Sequence, residues 1–82
     1  MKVLFTVFTT RAGKPEHVAF ECLKVFPSYH AERLDAFIRR AAKLADMKLD
    51  DMMIGLLLKH GFILTDDSRF PMVNLDITGA GL

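Results

Sequence analysis

The side chains in this 82-residue chain that could bind a metal or activate a nucleophile are His17, His30 and His60, Cys22, Ser28, and the acids Asp46, Asp50 and Asp51. A protein metal site gathers its ligands from short spacings such as C-x-x-C or H-x-x-x-H, and neither occurs. His17 and Cys22 lie an odd number of residues apart in a predicted strand, which directs them to opposite faces. His30 and His60 have no ligand-spaced neighbour. Nucleophilic catalysis asks for Ser or Cys beside a His and an orienting acid. Cys22 reads instead as a small apolar filler, and Ser28 as a helix cap. Asp46 and Asp50 stand at i, i+4, a spacing that could hold a cation, yet acids at a helix start are explained by the positive end of the helix dipole. The GAG of residues 79–81 lacks the strand before and helix after it that a phosphate loop requires. No metal ligand, cofactor site or catalytic residue is expected, and the chain reads as non-enzymatic.

A different chemistry is offered by the cations. Arg33, Arg39, Arg40 and Lys43 line the outer half of one predicted helix, and Arg11 and Lys14 stand at the tip of a predicted hairpin. Such a stripe could meet phosphates or an acidic protein surface, although Glu32 and Asp35 dilute it. These six are the candidate partner-binding residues.

Overall charge does not favour nucleic acid. Eleven Lys and Arg against ten Asp and Glu give a net charge of +1, well short of the excess that marks a dedicated DNA or RNA binder. A lone Cys cannot form an internal disulfide, and MKVLFTVFTTR has too short an apolar run for a signal peptide, so a reducing, cytoplasmic setting is expected. Lys48, Asp50, Asp51, Lys59 and His60 bracket the longest apolar run, which falls short of a membrane span. With 51% hydrophobic and 26% charged residues the chain should fold as one domain over residues 1–82. At this length a single core is only marginally stable by itself.

These side chains must be positioned by a small set of elements. Residues Lys2 to Arg11 and His17 to Phe26 are rich in Val, Phe and Thr and flank AGKPE, which predicts a β-hairpin. In the second arm Val18, Phe20, Cys22, Lys24 and Phe26 fall on one face and Ala19, Glu21, Leu23 and Val25 on the other. Neither face is cleanly polar, so cover is expected on both. After Pro27, with Ser28 as N-cap, Ala31, Leu34, Phe37, Ile38, Ala41, Leu44 and Ala45 recur at helical spacing. A second helix is predicted from about Leu49 to His60, with Asp50 and Asp51 at its start and Gly61 at its end. Phe62 to Thr65 and Met72 to Ile77 read as short strands around a DDSR turn. The fold class is therefore α+β: an N-terminal β-hairpin, two consecutive helices and one or two short C-terminal strands, packed as helices on a sheet.

The second helix is unusual because Met52 to Leu58 contains no polar side chain. A helix apolar all round must be buried on every side, or on one side in its own chain and on another in a partner. Each large aliphatic side chain removed from water contributes roughly 1.5 to 3 kcal/mol, so a few left exposed would forfeit an amount comparable with the whole stability of a small domain. Met52, Met53 and Leu56 are the candidate contacts of a homodimer.

The segment AAKLADMKLDDMMIGLLLKHGFI, Ala41 to Ile63, resembles the helix-turn-helix and wing entry of winged-helix regulators, and VNLDITGAGL resembles the wing exit. The order strand, proline, amphipathic helix, oily helix from Val18 to Phe62 is similar to ribbon-helix-helix repressors, which implies an intertwined dimer. Both resemblances imply DNA binding, but the winged-helix recognition helix would begin LDDMM, whose carboxylates are repelled by the phosphate backbone, and the ribbon strand would present Ala19, Glu21, Leu23 and Val25 where polar side chains should meet the groove. The leading expectation is a small non-enzymatic regulator or inhibitor, of the kind mobile elements encode, that binds a protein partner. A dimeric DNA-binding regulator is the alternative.

Overall fold

The computed structural model describes residues 1–11 and 14–79, with the side chains of residues 11 and 14–16 outside the description. The elements run β1 (Lys2–Arg11), β2 (Lys14–Val25), α1 (Ala31–Leu44), α2 (Asp51–His60), β3 (Phe62–Leu64) and β4 (Met72–Thr78). The fold is α+β, as its order of apolar periodicities dictates. The strands form one antiparallel sheet in the order β2-β1-β4-β3, so the N-terminal hairpin is completed by the C-terminal strands and β2 is an edge.

One sheet face carries the core. Val3, Phe5 and Val7 of the inner strand β1 alternate inward and are fully buried, beside Val73 and Leu75 of β4 and Ile63 of β3. Onto them pack Leu34, Phe37, Ile38 and Ala41 of α1 and Ile54 and Leu57 of α2. Edge-to-face ring pairs, Phe5 with Phe20 at 6.4 Å and Phe26 with Phe37 at 6.0 Å, tie β2 to β1 and to α1.

Helix α1 differs from its expected frame in three ways. Ser28 lies in a bend outside it, and the N-cap is His30, whose side chain makes no capping hydrogen bond. The buried stripe includes Ala42 and runs on to Ala45, whereas Ala31 and Leu44 of the expected stripe are exposed. Its end is a Schellman turn: the N–H of Asp46 reaches the carbonyl of Lys43 at 3.1 Å and that of Met47 reaches Ala42 at 2.9 Å. Asp46 occupies the left-handed position of this turn, φ 57°, where glycine is usual.

Helix α2 begins two residues later than expected, at Asp51, because Asp50 is the N-cap and its carboxylate accepts from the Met53 N–H at 2.8 Å. Gly61 ends it at φ 82°, donating to Leu57, and its own carbonyl accepts from Leu75 in β4, so the chain turns straight into β3.

In the hairpin, β2 begins at Lys14 rather than His17. Its register slips by one between Val7 and Phe8: Val7 faces Phe20 but Phe8 faces Val18, leaving Ala19 as the extra residue of a bulge. The bulge moves Val18 away from the face expected for it and onto the face of Leu23. It also places His17, opposite Thr9, on the same face as Cys22, opposite Phe5. The two remain roughly 15 Å apart along the strand at ~3.3 Å per residue.

Candidate functional site

The chemistry-bearing side chains do not converge. Among the described residues no three His, Cys, Asp or Glu side chains are grouped as a metal site would need. No helix among them is long and apolar enough to cross a membrane.

The basic stripe of α1 is divided by the fold. Arg39 is held by two carboxylates: its Nε donates to Asp35 one turn earlier, and its guanidinium reaches Asp51 at the head of α2 at 2.7 Å. These hydrogen bonds, to Asp35 first and Asp51 second, raise the Arg39 pKa further above its usual range. Arg39 therefore joins α1 to α2 rather than offering a free charge. Lys43 is exposed, beside a polar recess where Arg69 binds Asp67 at 3.0 Å and reaches Asp46 at 3.3 Å. Those bonds raise the Arg69 pKa, and the hydrogen bond from Arg69 is the main cause that lowers the Asp67 carboxyl. The side chains of Arg11 and Lys14 lie outside the described residues.

Arg33 and Arg40 are placed differently. They stand one above the other on the flank of α1 that faces β2, and together with Lys24 they border a groove of about 540 Å³ whose inner wall includes Cys22, Phe26 and Phe37. Among the described residues none of these three cations is in a salt bridge, although Lys24 lies over the Phe26 ring at 5.3 Å. Glu32 and Asp35, the acids that dilute the stripe in sequence, lie on the opposite flank of α1, near Leu58 of α2.

A second surface was hidden in the sequence. The sheet face turned away from the helices has no layer over it among the described residues, and it carries large apolar side chains among polar ones. Leu23 and Leu64 are 59% and 73% exposed, and Val18, Val25 and Phe62 are also exposed large apolar residues. Strand register sets them in two groups on either side of the row Glu21–Thr6–Asn74: Leu4 pairs with Leu23, while Phe8 pairs with both Val18 and Met72, and Met72 with Leu64. Thr6, at the centre between Glu21 and Asn74, is buried by its neighbours. The expected cover on both faces is thus present on one only. The signal was in β2, where Leu23 and Val25 alternate with Phe20, Cys22 and Phe26. Two helices on one side of a sheet leave the other set without a layer.

The oily helix is half-sheltered. Ile54 and Leu57 are buried and Met53 and Leu58 partly so, but Met52 is 74% and Leu56 41% exposed one turn apart. Of the three candidate dimer contacts, Met52 and Leu56 share the outer face and Met53 turns toward the core.

Comparison with known proteins finds no family model that matches the chain, and no curated protein and no solved structure with significant similarity to it.

Proposed function

We propose that this chain is a non-catalytic protein-binding module, a small regulator or inhibitor that works by occupying a surface of its partner. The observation that supports this reading is the uncovered sheet face. An antiparallel sheet commonly leaves one face to water, but that face is then lined by polar side chains in alternation with the core. Here large apolar side chains take many of those positions in two clusters, Leu4, Leu23 and Val25 on one side of the row Glu21–Thr6–Asn74 and Val18, Phe8, Met72 and Leu64 on the other, with Phe62 at the end of that row. Exposed large apolar side chains clustered in this way mark interaction sites. Lys2, Glu21 and Asp76 stand on the same face beside these clusters and supply charges for orientation.

The test uses a double variant, Leu23→Asp with Leu64→Asp, in which neither substituted side chain is buried. Light scattering and affinity capture from extract of the native host are run on both proteins, with circular dichroism as a check on folding. The expected result is a discrete complex, with a second copy or another protein, for the parent chain and its loss in the folded variant. Identical behaviour of the two proteins would remove the reading. The alternative of a dimeric DNA-binding regulator, using Arg33, Arg40 and Lys43, predicts binding of random duplex DNA at low salt that falls steeply as salt rises.

A further inference from the structure

We infer that the free edge of β2 accepts an extended acidic peptide as a fifth strand, with carboxylates directed at Arg33, Arg40 and Lys24. This deepens the protein-binding reading by naming the chemistry of one partner segment, and it rests on that reading.

The backbone supplies the first half of the argument. Met1 and Phe26 exchange both main-chain hydrogen bonds, at 2.8 and 3.0 Å, which makes them a hydrogen-bonded pair of the antiparallel ladder. Such pairs alternate with pairs that do not bond each other. Counting along the unbroken register from Phe26, the residues bonded to β1 are Lys24, Cys22 and Phe20, opposite Val3, Phe5 and Val7. Val25, Leu23 and Glu21 therefore turn their N–H and C=O groups outward, away from the sheet. β2 is an edge, and among the described residues no turn, cap or loop bond engages these groups. They form a template for strand addition that ends at the Ala19 bulge.

The side chains supply the second half. An added strand would alternate its side chains between the two faces of the sheet. On the helix side, its residues enter the groove between β2 and α1, where Lys24, Arg33 and Arg40 have no acidic partner among the described residues. On the other side, its residues lie beside the exposed Leu23 and Val25, with Glu21 next along the same face. The fitting occupant is thus a segment of alternating acidic and apolar residues. A nucleic acid could satisfy the cations, but it offers no main-chain donors and acceptors to match those of Val25, Leu23 and Glu21. The observations favour a peptide.

The experiment measures binding of a labelled short peptide of alternating Glu and Val by fluorescence anisotropy at low salt. Controls are the Lys–Val counterpart, the Glu–Val peptide N-methylated at every second amide, and a single-stranded oligonucleotide. Saturable binding of the Glu–Val peptide alone is expected, with added protection from hydrogen exchange at the Glu21, Leu23 and Val25 amides but not at Cys22 and Lys24, which the ladder already protects. The variant Arg33→Glu/Arg40→Glu, altered only at exposed positions, is expected to lose about tenfold or more in affinity. Val25→Pro removes an outward N–H and no ladder bond, and is expected to weaken the peptide while preserving the fold. The inference is overturned if the Glu–Val peptide fails to bind, if N-methylation or the Arg reversals leave its affinity unchanged, or if the oligonucleotide binds more tightly. Failure here with continued loss of a partner in the Leu23→Asp/Leu64→Asp variant would reject strand addition and keep the protein-binding module. Failure of both would reject both.

Discussion

Asp46 carries a cost that its position explains. It sits at φ 57° in the turn that closes α1, a conformation that L side chains adopt at a penalty of about 1 kcal/mol and glycine adopts freely. Its carboxylate meets Arg69 only at an exposed surface, where such pairs contribute little. Asp46→Gly is therefore expected to raise stability by about 0.5 to 1 kcal/mol, read as a higher urea midpoint at unchanged slope. Asp67 behaves differently, because Arg69 donates to it from both side chain and backbone and holds its carboxyl below the ordinary range. A carboxyl depressed by folding stabilises the native state above its unfolded pKa of about 3.9, and that contribution is lost as pH falls through the lower folded value. Asp67→Asn should accordingly lower stability modestly near neutrality and converge with the parent chain as pH falls below ~4, which flattens the acid limb, measured by thermal melts across pH. Neither the Schellman turn nor the reach of Arg69 to Asp46 was legible in the sequence. The turn uses Asp where Gly would announce it, and the ion pair joins residues 23 apart.

At the scale of elements, legibility followed the strength of the local signal. The acids at 50–51 and Gly61 bound α2 correctly to within two residues, since each acts on backbone groups a few residues away. Ser28 failed as a cap because Tyr29 and His30 separate it from the first helical turn. The bulge at Ala19 left no mark, since no glycine or polar residue signals it. The uncapped start of α1 yields a direct prediction. His30 already has the extended backbone of an N-cap, φ −149° and ψ 110°, and lacks only an acceptor oxygen. His30→Asp should supply it, adding about 1 kcal/mol and raising the melting temperature by roughly 4–8 °C. On α2, Leu56 lies outside the core layer set by Ile54 and Leu57. Leu56→Asp is expected to leave the fold and its cooperative unfolding intact in circular dichroism and to disperse any assembly that uses the Met52–Leu56 strip; global unfolding would place Leu56 in the core.

For the molecule as a whole, a two-layer fold with two helices among the described residues divides its surface into regions with different physics. The helix-covered face supplies the core, the opposite sheet face is open and carries exposed apolar clusters, and the groove beside β2 is cationic. Contacts made through the first of these exposed regions gain from burial, which salts such as sulfate strengthen by exclusion from the surface. Contacts made through the second gain from charge, which is screened once the Debye length shrinks to about 10 Å at 0.1 M salt. The two proposed functions of the surface should therefore respond to salt in opposite senses. Raising sodium sulfate is expected to hold or tighten association through Leu23 and Leu64, followed by sedimentation velocity on the parent chain and its Leu23→Asp/Leu64→Asp variant. Raising sodium chloride from 0.05 to 0.5 M is expected to weaken the Glu–Val peptide by roughly tenfold, followed by anisotropy. A peptide affinity indifferent to chloride would mean that Arg33, Arg40 and Lys24 contribute nothing to holding it, and the groove would then be a packing seam between α1 and its neighbouring strand.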